Sequence, residues 1–432
     1  MLKRSIASSL WLGLWLLSSV VMGQISTVSG EWPQFRGPLR DGVSSDTGLL
    51  TQWPDDGPPL VWQTRGAGRG YGTVSIVGDR LYTLGDGLSI VEDADEYVVC
   101  FSMTDGSVIW KTRLGPPWTS GRDDWQSSRS TPTVDGDLLY VLTPHGDLVC
   151  LETATGAERW RRNMAKNFGG QKGDIWGYSE SVLIDGQRLV CTPGGRTATM
   201  VALDKTTGDE IWRSVWDNDR GAGHASIVIS EVGGTRVYVN TTAGGALGVR
   251  AADGQLLWTY DIDRTTSVIP NPIVRDDLVF FTAGYRRGGA LLRQVPGDNG
   301  SVSIETVYPL NSELTNKHGG VVLVGDHLYG DTDDQGIPFC AELMTGQIAW
   351  KERGPGRGSI AVTAADGHVY MRWANGIIAL VQATPEGFQV RGSFRIPGSG
   401  DRPSWSHPVI VDGRLYLREG DAILCYDVTK SE

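Results

Sequence analysis

From about residue 60 onward the chain is written in short apolar runs of Val, Ile, Leu and Tyr, each stopped by an Asp-Gly, Gly-Asp or Thr-Gly pair. Such runs, joined by such turns, predict antiparallel strands in hairpins. No long apolar-periodic helix follows the first 25 residues. Two signals then recur. One is a turn followed by a strand that ends in an aromatic, as in Gly78-Asp79-Arg80-Leu81-Tyr82, Asp135-Gly136-Asp137-Leu138-Leu139-Tyr140 and Gly325-Asp326-His327-Leu328-Tyr329. It returns at Asp366 to Tyr370 and Asp412 to Tyr416, with weaker copies ending at Val190, Tyr238 and Phe280. The other is a glycine turn four residues before a tryptophan: Gly106 and Trp110, Gly156 and Trp160, Gly208 and Trp212, Gly254 and Trp258, Gly346 and Trp350. Gly300 and Ile304 keep that frame without the aromatic, and Pro385 to Phe394 is its most degraded copy.

The strand ends at 82, 140, 190, 238, 280, 329, 370 and 416 define eight copies spaced 41 to 58 residues apart, each with about four strands. That period and strand number predict an all-β fold, an eight-bladed β-propeller of four-stranded antiparallel blades. The last copy stops at Asp427-Val428 without an outermost strand, while Pro59-Leu60-Val61-Trp62-Gln63 is an unpaired strand at the start. The expectation is a ring closed by that N-terminal strand, leaving no open sheet edge. Trp62, Trp110, Trp160, Trp212, Trp258 and Trp350 are expected to pack between neighbouring blades, each burial stabilising the ring by about 1.5–3 kcal/mol or more. Residues 57–432 are assigned to the propeller and 24–56 to an N-terminal arm, laid across the ring through Trp32, Phe35 and several prolines.

Residues 1–23 read as a signal peptide: Lys3 and Arg4, an apolar run from Leu10 to Met22, and Gly23 ahead of a cleavage point at Gln24. The run is shorter than the ~20 apolar residues of a spanning helix, so an exported protein of the periplasm or extracellular space is expected, not membrane-spanning after cleavage. No cysteine precedes Cys100 to accept a lipoprotein acyl chain. Loss of Lys3 and Arg4 takes the net charge from −11 to −13. Acidic and basic residues are dispersed, without the concentrated basic patch that nucleic acid requires. A monomer is expected.

Thr155-Gly156-Ala157-Glu158-Arg159-Trp160 and Ala202-Leu203-Asp204-Lys205-Thr206-Thr207-Gly208-Asp209-Glu210-Ile211-Trp212 resemble the tryptophan-docking repeat of PQQ-type propellers. That family includes quinoprotein alcohol dehydrogenases and BamB-like outer-membrane assembly factors. Trp32-Pro33-Gln34-Phe35-Arg36-Gly37-Pro38 resembles the opening of exported PQQ-repeat proteins of planctomycete-type bacteria. The dehydrogenases carry vicinal cysteines over the quinone and a bound Ca²⁺. Here Cys100, Cys150, Cys191, Cys340 and Cys425 are isolated from one another. Three of them, Cys100, Cys150 and Cys340, stand ten residues before a blade tryptophan, where Ala202 and Gly248 stand elsewhere. That pattern predicts a tight buried site for a small residue, and no disulfide framework.

Other chemistry is weakly supported. Asp331-Thr332-Asp333-Asp334-Gln335-Gly336 with Glu342 imitates a calcium loop, but Glu342 follows the blade frame of Glu152 and Asp204 and no flanking helices are evident. Gly66-Ala67-Gly68-Arg69-Gly70 lacks the third glycine and the following helix of a dinucleotide loop. No Gly-x-Ser-x-Gly, His-Glu-x-x-His or Cys-x-x-Cys-His motif occurs. No metal site and no catalytic set is therefore assigned. One constellation remains. Counting back from the repeat aromatics places Tyr71, Arg129, Ser179, His318 and Trp405 near the starts of the innermost strands, with Glu180, His224, Asn271, Lys317 and His407 close by. These form the expected ligand site, a polar and partly cationic channel mouth suited to a small anion or a peptide. The leading expectation is a non-catalytic scaffold of the cell envelope with a protein or peptide partner and no cofactor. The alternative is a PQQ-dependent dehydrogenase-like quinoprotein with its cofactor at the central channel.

Overall fold

The computed structural model describes residues 30–87, 95–263 and 267–430; the signal-peptide assignment falls outside them. Eight four-stranded antiparallel sheets follow one another around a ring. Blade 1 is built from Ser75–Val77, Arg80–Asp86, Glu96–Ser102 and Val108–Gly115. Blades 2 to 7 occupy 133–163, 183–214, 228–261, 273–311, 322–351 and 360–395. The eighth combines Val409–Val411, Arg414–Glu419 and Ala422–Asp427 with the N-terminal strand Leu60–Arg65, which supplies the missing outer edge. In that pairing Trp62 faces Cys425 and Thr64 faces Ile423. The ring is therefore an eight-bladed propeller closed by joining the two ends of the chain.

The core lies between blades rather than inside any one of them. The two middle strands of each sheet carry apolar side chains on both faces, and each face meets the next blade. Tyr82, Leu84 and Cys100 of blade 1, for example, pack with Leu139, Val141 and Val149 of blade 2. The glycine and tryptophan repeat acts at these seams. The indole N–H of Trp62 donates to the Met103 carbonyl at 3.1 Å, Trp110 to Thr153 at 3.0 Å and Trp160 to Lys205 at 3.0 Å. Trp212 donates to Ala251 at 3.2 Å and Trp350 to Thr384 at 2.8 Å; each acceptor lies in the following blade. Trp258 departs from this, donating to the Gln294 side chain at 3.2 Å. The glycine of the next blade lies against each ring: a Cβ on Gly156, Gly208 or Gly254 would meet the preceding tryptophan at 2.6 to 2.8 Å. Where blade 5 lacks the tryptophan, Tyr308 lies under Gly346. In blade 7, Phe394 takes the aromatic role, set between Trp53 and Tyr426.

Small residues opposite the tryptophans have a geometric cause. Trp110 pairs with Cys100, Trp160 with Cys150, Trp212 with Ala202, Trp258 with Gly248 and Trp350 with Cys340, and a β-bulge follows each pair. All five cysteines are free and buried.

The arm crosses the ring before the closing strand. The Trp32 N–H donates to Ile76 of blade 1 and the Ser44 N–H to Ala364 of blade 7. Pro33 accepts from Val134 of blade 2, and the Leu50 N–H donates to Val428 beside blade 8. Trp32, Leu49 and Trp53 are buried. Among the described residues no helix is long and apolar enough to cross a membrane.

Candidate functional site at the channel mouth

The segments that lead into the innermost strands are tied to one another by side chains. The Thr73 N–H donates to Thr131 Oγ1, Thr131 to Ser181 Oγ, Ser181 to Ser226 Oγ and Ser226 to Asn271 Oδ1, at 2.8 to 3.1 Å. This belt passes through blades 1 to 5 and fixes where the neighbouring side chains emerge. They emerge into a cavity of about 130 Å³ lined by Tyr71, Arg129, Ser179, His224, Asn271, Lys317, His318, Trp405 and His407. All of these were expected at the mouth, and seven of the eight blades contribute. Glu180 is the exception. It is turned away and buried, accepting from the Thr192 N–H at 2.7 Å and the Thr192 hydroxyl at 3.0 Å. Successive residues of an extended segment face opposite ways, so Ser179 in the cavity puts Glu180 behind it.

Other lining residues carry no repeat signal. Trp125 and Trp176 come from loops, Tyr285 from the blade 5 hairpin, and Phe35 and Arg36 from the arm. Trp125 lies 5.4 Å from Trp176 and 5.3 Å from Trp405, and Trp405 lies 5.0 Å from Tyr71. His318 stacks on Trp405 at 4.4 Å. The walls are therefore a nearly continuous aromatic surface. The tryptophans themselves were the available clue, since the chain has 16 and the docking frame uses six.

Cationic groups stand around these rings. The Lys317 ammonium bridges both oxygens of Asp334 at 2.8 and 2.7 Å and sits 4.7 Å from the Tyr285 ring. Arg129 spends its guanidinium on the carbonyls of Trp125, Ser127 and Trp176. Arg36 donates through Nη2 to Val321 and Asp41, at 2.6 and 2.7 Å. Its Nε and Nη1 are buried without a partner, as are Asn271 Nδ2 and Trp405 Nε1. Burial pulls Arg36 down to about 10. Burial likewise lowers His224 to about 4 and His318 and His407 to about 3 each, so the three imidazoles are neutral at pH 7.

The other sequence motifs resolve into structural roles. Gly66 and Gly68 donate their N–H groups to one Asp421 oxygen at 3.1 and 2.8 Å, so the anion of that glycine loop is a side chain of the protein. The acids of the calcium-like loop diverge. Asp331 is buried on Asn316 and the Ile360 N–H, Asp333 accepts from Tyr285 and Arg286, and Asp334 holds Lys317. Among the described residues no group of three His, Cys, Asp or Glu is placed to hold a metal ion. The quinoprotein dehydrogenases that the repeat resembles carry adjacent cysteines over the quinone. Four of the five cysteines lie in blade strands opposite tryptophans, and Cys191 is buried against the Met164 sulfur. No cysteine lines the mouth.

The family described as outer membrane protein assembly factor BamB matches residues 94–352. The BamB of Shewanella oneidensis is 24% identical over 260 residues, which are 57% of this chain and 61% of the relative. That of Kangiella koreensis is 27% identical over 133 residues, 29% of each chain. The chain thus spans less than two thirds of these relatives' length. Among solved structures, BamB from Moraxella catarrhalis has a TM-score of 0.58 at 16% identity, covering 86% of this chain and 98% of that one. The quinohemoprotein alcohol dehydrogenase of Comamonas testosteroni has a TM-score of 0.60 at 12% identity, covering 93% and 81%. At such identities the two structures share the fold with this chain and nothing more specific. Repeat, blade geometry and family match agree, and the chain belongs to the BamB family of PQQ-like repeat β-propellers.

Proposed function

We propose that the protein is an exported scaffold of the cell envelope that works in outer-membrane protein assembly and receives a protein or peptide partner at its channel mouth. The observation that carries this reading is the cavity to which seven blades and the arm contribute. Its aromatic walls suit an apolar side chain of a partner. Its unpartnered donors on Arg36, Asn271 and Trp405 suit a carbonyl or carboxylate. Family membership supports the envelope setting, and the signal-like N-terminus supports export.

The test is affinity capture from envelope extracts with the tagged full chain and a Trp125→Ala/Trp405→Ala variant. The wild-type chain is expected to retain a defined envelope partner, components of the β-barrel assembly machinery among them, and the variant to lose it. Equal recovery by both proteins, or no partner with either, would count against the mouth as the docking site.

A further inference from the structure

We propose that Ser179 is a nucleophile in this cavity, with His224 as its general base and Asp174 as the residue that positions the base, and that the site hydrolyses small carboxylic esters. Ser179 Oγ is hydrogen-bonded to His224 Nδ1. On the other side of the ring, His224 Nε2 lies 2.6 Å from Asp174 Oδ2. The second oxygen of Asp174 accepts from the Trp176 N–H at 2.9 Å, which tethers the carboxylate.

That arrangement settles the tautomer. A carboxylate can only accept, so Nε2 carries the proton and the Nδ1 lone pair faces the serine. The Ser179 hydroxyl therefore donates to His224, the direction required for proton abstraction. Two ring nitrogens, one serine and one acid thus have the roles of a nucleophile, base and orienter, with the ring reversed end for end. The sequence holds no motif for this, because the three residues come from a loop after blade 2 and from the approaches to blades 3 and 4.

The same cavity holds further unpartnered donors. Ser179 and His224 both line the cavity, as do Asn271 and Arg36. Asn271 Nδ2 is a buried donor with no partner, the kind of group that holds a developing oxyanion. A cavity of about 130 Å³ limits the acyl part to about the size of benzene, which fits a dry space of about 150 Å³. The aromatic walls favour a planar or apolar group there.

In the reaction, Ser179 gives its proton to His224 Nδ1 as Oγ bonds to the ester carbonyl carbon, and the carbonyl oxygen takes the displaced electron pair. The intermediate collapses with cleavage of the bond to the alcohol oxygen, which leaves with the proton from His224. Water then attacks the acyl-serine, passing a proton to Nδ1. Ser179 Oγ departs and recovers that proton. One ester and one water become one acid and one alcohol.

The base faces Asp174 and Ser179 directly, with Lys172, Arg129 and His318 near it. Burial first, then the charges of Lys172 and Arg129, bring His224 down to about 4 against the pull of Asp174. Burial works to raise Asp174, but the bonds from His224 and Trp176 and the charge of Lys172 outweigh it and hold the carboxyl below its ordinary value. The pair stays as an aspartate and a neutral imidazole from neutral pH down to about pH 5, which gives the reaction a distinctive pH profile.

The experiment treats the purified full chain with a fluorophosphonate probe, maps the adduct by peptide mass spectrometry, and follows p-nitrophenyl acetate hydrolysis. The expected result is time-dependent labelling of the peptide bearing Ser179 and no other serine, blocked in Ser179→Ala. Asp174→Asn should label at least tenfold more slowly at an unchanged melting temperature, with Asp174→Glu recovering part of the rate. Labelling should be level from pH 5 to pH 7. Mapping on the wild-type chain needs no variant, so misfolding of a mutant cannot obscure the answer. Absence of an adduct on Ser179, an unchanged rate in Asp174→Asn, or a rate that falls between pH 7 and 6 like that of a free imidazole would overturn the proposal.

Discussion

Replacing Trp212 and Gly254, singly and together, isolates what one blade seam contributes. The Trp212 ring is buried, hydrogen-bonded to Ala251 at 3.2 Å and stacked 6.1 Å from Tyr238. Trp212→Ala removes that packing, at a cost of about 3–5 kcal/mol. With an unfolding entropy of about 2 cal/mol/K per residue, a ring of this length should lose about 4–6 °C in Tm. Gly254 has φ of 77°, and a Cβ there would lie 2.6 Å from Trp212 Cε3. Gly254→Ala thus carries about 1–2 kcal/mol for the left-handed backbone and about 1–3 kcal/mol for overpacking. In the double variant the overpacking disappears, because the ring it opposed is gone. The two changes together should therefore cost about 1–3 kcal/mol less than their sum. Equilibrium urea unfolding followed by far-ultraviolet circular dichroism, at matched m-values, measures the difference. Additivity within about 0.5 kcal/mol would refute the claim that glycine and tryptophan form one docking unit.

Ring closure and acid–base behaviour give two further tests. Deleting residues 24–64 removes the outer strand of blade 8 with the buried Trp32, Leu49 and Trp53; it should aggregate or melt far below the intact chain, whereas deleting 24–30 should change little, as size-exclusion and thermal melts will show. Burial pushes the Glu96 carboxyl from 4.5 to about 8, with the nearby charges of Asp86 and Asp147 adding to it and a Ser128 hydrogen bond opposing. The folded chain therefore keeps a proton that the unfolded chain has released. This stability is complete below pH 4.5 and is lost as pH rises to 8, about 5 kcal/mol in all. Glu96→Gln should flatten the fall in unfolding free energy between pH 5 and 8.5, and an unchanged slope would refute the assignment.

The parts of the fold that were legible in the sequence are those that repeat. A tryptophan needs a glycine under it and a small residue across from it, so Gly254, Trp212 and Ala202 mark a seam without any knowledge of the ring. The degraded copies were harder to place because substitutes such as Tyr308 and Phe394 arrive out of frame. At the mouth, counting back from the strand ends gave Tyr71, Arg129, Ser179, His318 and Trp405, which all line the cavity. Glu180, named beside them, lies behind Ser179 because one step along an extended segment reverses the side chain. Asp174, Trp125, Trp176, Tyr285 and Arg36 escaped for another reason. They lie on loops, a hairpin and the arm, where no period constrains position and only the folded ring brings them to Ser179 and His224.

The most direct test of the mouth as the working face is site-specific photocrosslinking in the native cell envelope. Tyr285 borders the cavity and is 55% exposed, while Val108 lies on the outer strand of blade 1 and is 50% exposed. A photoreactive phenylalanine analogue at 285 should give one discrete adduct with an envelope protein or peptide, and the same group at 108 should give none. Adducts at 108 with none at 285 would contradict the account and move the interaction to the rim of the ring.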